Sequence, residues 1–114
     1  MPDCIFCRIA GGEMPTDLLF EDDQLVAFKD INPQAPVHFL VVPKKHIPDL
    51  PALTAADASL LPAVQRVIVK LTRQLGIDGD GFRVVVNTGA HGGQTVSHLH
   101  FHVLGGRALG WPPG

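Results

Sequence analysis

The stretch that decides the fold is Gly92-Gly-Gln-Thr-Val-Ser-His-Leu-His-Phe-His-Val-Leu-Gly-Gly106. Within it His98, His100 and His102 alternate with Leu99, Phe101 and Val103. A period of two is the mark of a strand, in which successive side chains point to opposite faces. Read as a strand, the stretch puts three imidazoles on one face and an apolar set toward a core. A solvated strand face would be served as well by lysine, threonine or glutamate. A metal site is a second reading. The outer two histidines of a strand lie about 13 Å apart, while zinc–nitrogen bonds are about 2 Å long. One ion can therefore take two neighbouring histidines but hardly all three. The third reading is catalysis, with imidazoles that titrate near working pH handling protons or attacking an electrophile.

Working outward, Thr88-Gly-Ala-His-Gly-Gly-Gln-Thr95 is a glycine-rich loop that feeds the histidine stretch. Glycine lets backbone N–H groups approach an anion closely, and placed before three histidines the loop points to phosphate. Gly81-Phe-Arg-Val-Val-Val-Asn87 reads as a strand before it. Upstream, Thr54-Ala-Ala-Asp57 resembles a helix-start capping motif. Leu60/Leu61, Val64, Val67/Ile68, Leu71 and Leu75 follow at steps of three and four, an amphipathic helix stopped near Gly76. Pro62 makes that helix begin around it or kink there.

Val37-His-Phe-Leu-Val-Val42 is an apolar strand ended by Pro43. Leu18-Leu-Phe-Glu21 and Gln24-Leu-Val-Ala-Phe-Lys29 read as a hairpin turned by acidic residues. Asp30-Ile-Asn-Pro-Gln-Ala-Pro36 is a loop held by two prolines. Near the start, Cys4-Ile-Phe-Cys7 is half a metal site, a redox pair or two incidental cysteines, and Ile5, Phe6 and Ile9 form the apolar stripe of a short helix. Zinc there would need two further ligands, which the histidines could supply.

The totals bound the rest. At 114 residues and 46% hydrophobic, the chain is expected to form one domain over 1–114 with a real core. A net charge of -2 gives no footprint for nucleic acid or an anionic membrane. The first ten residues lack a charged segment followed by an apolar run, and no stretch approaches transmembrane length. A cytoplasmic location with reduced cysteines is the expectation.

His98-Leu-His-Phe-His-Val-Leu104 resembles the signature of the histidine triad (HIT) superfamily, three histidines alternating with apolar residues. Gly92-Gly-Gln-Thr-Val96 and Trp111-Pro-Pro-Gly114 resemble its HINT branch, the purine nucleoside phosphoramidases. The likeness extends through Phe20-Glu-Asp-Asp23, Asp30 to Pro36 and His38 to His46. It implies an α+β fold: an antiparallel sheet of about five strands, one main helix, a short N-terminal helix, and a homodimer with a continuous sheet.

The resemblance also implies an activity: hydrolysis of the P–N bond of purine nucleoside 5′-phosphoramidates through a nucleotidyl-histidine, with no cofactor needed for catalysis. His100 would be the nucleophile, His102 its neighbour on the phosphoryl group, and His38 a fourth histidine supporting their hydrogen bonding. Ile5, Phe6, Ile9 and Ile31 would flank the nucleobase and sugar, and Asp30 would hold the ribose hydroxyls. Asn87, Gly93, Gln94, Thr95 and Val96 would meet the phosphate and leaving group, and Trp111 the partner's site. Relatives carrying both cysteines imply structural zinc on Cys4, Cys7, His46 and His98. His91 lies outside the motif, and Ser97 stands where an aromatic residue is common in that branch. Two alternatives of other classes are a HIT-type dinucleoside polyphosphate hydrolase and a zinc-stabilised nucleotide-binding or interaction module.

Overall fold

The structure, a computed structural model, describes residues 4–114. Residues 1–3, which open the stretch read for a leader, lie outside the described residues. In chain order come α1 (Ile5–Ala10), β1 (Leu18–Glu21), β2 (Leu25–Lys29), β3 (Val37–Pro43), α2 (Leu60–Gln74), β4 (Phe82–Val85), α3 (Gly89–Gly92) and β5 (Phe101–Gly105). The five strands form one antiparallel sheet in the order β1-β2-β3-β5-β4. This is the α+β arrangement that the resemblance implies, with a main helix and a short N-terminal one.

Alternation along the strands builds two cores. Leu25, Ala27, Phe39, Val41, Phe101 and Val103 face α2, whose Leu60, Ala63, Val64, Val67, Ile68 and Leu71 recur at helical spacing. Val26, Phe28, Leu40 and Val42 face the other way and pack on Phe6, Ile9 and Ala10 of α1. His38 shares the parity of Leu40 and Val42, and β3–β5 pairing sets Leu40 opposite His102. Both histidines therefore emerge on the α1 face of the sheet.

The β1–β2 turn is held by Asp22, whose carboxylate accepts from the N–H groups of Gln24 at 2.8 Å and Leu25 at 2.7 Å. Three local expectations change. The Thr54–Asp57 capping box does form, but it caps a 3-10 turn at Ala55–Asp57. α2 begins later, at Leu60, which puts Pro62 in its first turn, where a missing N–H costs nothing. The glycine-rich loop holds one helical turn, α3, closed by Gly93 at φ 80. The regular strand of the histidine stretch starts only at Phe101, so His98 and His100 lie ahead of it and are not bound to one strand face.

Candidate active site and metal-ligand cluster

The departure of His98 and His100 from the ladder sends the three histidines to different partners. His98 is wholly buried, and its Nε2 donates to the Pro43 carbonyl at 2.7 Å. Its Nδ1 is therefore the unprotonated nitrogen. That atom lies 3.1 Å from His46 Nδ1, 3.3 Å from Cys4 Sγ and 3.5 Å from Cys7 Sγ, and Cys7 Sγ lies 3.2 Å from His46 Nδ1. All four candidate ligand atoms fall within 4.8 Å of one another. Neighbouring ligands of a tetrahedral zinc stand about 3.3 to 3.8 Å apart, so the spacing and the two-cysteine, two-histidine donor set suit zinc. The carbonyl behind His98 is the kind of outer partner that fixes a metal-bound imidazole. This cluster could hold a metal ion. Burial and the neighbouring Cys4 raise the Cys7 thiol above its usual range.

His100 Nδ1 donates to the His98 carbonyl at 2.7 Å, which leaves Nε2 as the lone-pair nitrogen. The Phe6 ring stands edge-on to it with centroids 4.9 Å apart, and to His98 at 6.0 Å. Phe6 and Ile9, read as base-flanking, are buried between α1 and the sheet; Ile5, at 43%, and Ile31, at 99%, are the exposed pair.

His102 and His38 form a chain whose direction one backbone group fixes. The Gln34 N–H donates to His38 Nδ1 at 3.1 Å, so the His38 proton sits on Nε2. That proton goes to His102 Nδ1, 3.0 Å away, and His102 then carries its own proton on Nε2. Asp30 Oδ1 accepts from the Asn32 N–H at 2.8 Å, while Oδ2 stands 3.5 Å from His38 Nε2 and 3.9 Å from His102 Nδ1. Asp30, His38 and His102 also lie close enough together to hold an ion. The tautomers oppose it, since His38 presents a proton where the ion would bind. Burial holds His38 below the ordinary imidazole range against the pull of Asp30. Burial, and then the charges of His100 and His38, does the same to His102.

The loop ahead of the histidines has the form of an anion cradle. The Gly93 N–H donates to Ala90 and the Gln94 N–H to Gly89, both at 3.1 Å. Among the described residues the N–H groups of Thr95 and Val96 make no hydrogen bond. Asn87 is half-buried at the foot of this loop, and Ser97 and His91 are exposed. Trp111, 81% exposed, lies under the Arg83 guanidinium of β4 at 5.9 Å, and Arg83 also donates to the Gly110 carbonyl at 2.7 Å. Three determinants had no signal in the sequence, the Gln34 N–H and the carbonyls of Pro43 and His98, because every residue but proline carries the same main-chain donor and acceptor.

A five-stranded antiparallel sheet with three alternating histidines on and just ahead of one strand, a fourth histidine on the neighbouring strand and a glycine-rich loop before them defines a histidine triad protein. The comparisons agree. The family model described as scavenger mRNA decapping enzyme C-term binding matches residues 3–109. An uncharacterised HIT-like protein of Synechocystis is 52% identical over 98% of this chain and 97% of its own length. A HIT family hydrolase of Legionella pneumophila superposes with a TM-score of 0.95 at 46% identity, covering 98% of this chain and all of its own. A histidine triad protein of Clostridium difficile does so at 0.93 and 46%, over 96% of each chain. The chain belongs to the HIT superfamily and resembles its hydrolases.

Proposed function

We propose that this protein is a nucleotidyl hydrolase of the HINT type, cleaving the P–N bond of purine nucleoside 5′-phosphoramidates. One observation carries the reading: the hydrogen-bond chain that leaves His100 with a free Nε2 lone pair beside a His102 that keeps a proton on Nε2. The two rings lie 5.0 Å apart, centroid to centroid. His100 Nε2 attacks the α-phosphorus as the P–N bond breaks, and the departing nitrogen takes up a proton from solvent and leaves as the amine. His102 Nε2–H and the free N–H groups of Thr95 and Val96 stabilise charge on the phosphoryl oxygens. Water then attacks the nucleotidyl-histidine and the P–N bond to His100 breaks, which releases the nucleoside monophosphate, returns a proton to solvent and restores the His100 Nε2 lone pair.

Asp30 Oδ2 would take the ribose hydroxyls, and Ile5 and Ile31 the base, with Phe6 and Ile9 as the floor beneath. Asn87 and Thr95 would meet the phosphate and leaving group. A zinc ion on Cys4, Cys7, His46 and His98 would be structural, tying α1 to the sheet. The reading takes residues 1–114 as one domain of a cytoplasmic homodimer, with no nucleic acid or membrane as partner. It is supported by the open β4 edge, where Phe82 and Val84 are exposed beside Trp111. No helix among the described residues is long and apolar enough to cross a membrane.

The alternative is cleavage of a dinucleoside polyphosphate at phosphorus by the same histidine. A substrate comparison separates them. Amine release from a fluorogenic adenosine 5′-phosphoramidate should far exceed hydrolysis of a diadenosine polyphosphate, and His100→Ala should lower it by at least about a thousandfold. The reverse preference would replace the P–N reading. Turnover surviving in His100→Ala would remove the covalent route.

A further inference from the structure

We infer that Gln94 is a positioning residue: its side-chain amide touches no substrate but staples together the three backbone segments that shape the anion cradle. The amide offers two N–H groups and one carbonyl oxygen. Oε1 accepts from the Gly89 N–H at 3.1 Å. Nε2 donates to the Pro48 carbonyl at 2.7 Å and to the Val96 carbonyl at 3.0 Å. Only one orientation of the amide satisfies a donor on one side and two acceptors on the other. Both N–H groups are thereby taken, so none remains for an anion.

Gly89 and Val96 flank Gln94 in the loop, whereas Pro48 comes from a segment 46 residues away in sequence. Pro48 follows Ile47, whose carbonyl accepts from the Leu99 N–H at 2.6 Å beside the catalytic histidines. Gly89 opens α3, and the Gln94 main-chain N–H returns to the Gly89 carbonyl, so side chain and main chain close on the same residue. Val96 is the last residue of the cradle. In a trans peptide the carbonyl and the next N–H point opposite ways. Holding the Val96 carbonyl toward Gln94 therefore turns the Ser97 N–H to the other side of the chain. Among the described residues that N–H, like those of Thr95 and Val96, makes no hydrogen bond. Without the staple the Val96–Ser97 peptide would be free to flip and present an oxygen where donors are needed. This role rests on the nucleotide reading above for the identity of the anion.

The test uses the full-length protein with adenosine 5′-monophosphate and adenosine as probes. Gln94→Glu sets a carboxylate against two carbonyl oxygens. At about pH 8 its affinity for the monophosphate should fall about tenfold or more, with adenosine affinity within about twofold of wild type. Near pH 5.5 the ratio of variant to wild-type affinity should recover in part, because a glutamate held against two carbonyl oxygens protonates readily and then donates one hydrogen bond. Gln94→Met should show the same selective loss without that recovery. Retention of the wild-type preference for the monophosphate by both variants would overturn the role, as would an equal loss for the two probes. A wild type with no such preference would remove the nucleotide reading, and this role with it.

Discussion

His38 shows how much one main-chain donor can decide. The Gln34 N–H fixes the tautomer of His38, His38 fixes that of His102, and the His98 carbonyl fixes that of His100. The same ring type thus serves as donor, acceptor and lone-pair nitrogen within one small region. The sequence displayed the three histidines and the fourth, and their spacing already argued that one metal ion could use only some of them. It did not display their separate partners, because those are set where the backbone leaves the ladder at His98 to His100. His38→Phe leaves His102 Nδ1 without its donor and should lower kcat about tenfold or more. KM for the phosphoramidate should change less, since Asp30 and the exposed apolar residues remain. A kcat equal to wild type would exclude the relay.

At the scale of elements, α1 is the piece whose order depends on side chains outside it. A six-residue helix cannot hold itself together in water. It is kept in place by Phe6, Ile9 and Ala10 on the sheet and by Cys4 and Cys7 against His46 and His98. Its periodicity was readable, whereas Cys-Ile-Phe-Cys alone left three readings open until the fold brought two distant histidines to it. The same limit explains the capping box: Thr54 and Asp57 satisfy a local rule, but the core decides where α2 starts. Protein purified without a histidine tag should carry about one zinc per chain. Chelation under reducing conditions should speed amide hydrogen exchange across residues 5–10 and lower Tm, with β2 and β3 little affected. Unchanged exchange in α1, or no zinc binding by the reduced apo-protein, would remove the four-ligand site.

For the whole molecule, the two-sided sheet makes stability and pH one question. The α2 face was legible from hydrophobic alternation and helical spacing. The α1 face was less so, because it buries histidines among its apolar residues. His38 and His102 are both held below the ordinary imidazole pKa by burial, so the folded chain binds fewer protons than the unfolded chain in mildly acid solution. Their neutral state supports full stability above about pH 6.5. That stability is lost as pH falls from there through the lowered folded values. Tm should therefore drop between about pH 7 and pH 5, and less steeply in His38→Gln. A flat or inverted profile would contradict the assignment of neutral, buried imidazoles.

The central claim is that His100 Nε2 attacks phosphorus. Its most direct test is a single-turnover reaction of wild-type protein with adenosine 5′-phosphoramidate, quenched early and read by intact mass and peptide mapping. The account predicts one adenylyl group per active chain, borne on His100 and absent from His100→Ala. Turnover with no adduct at any time, or an adduct on another residue, would contradict it.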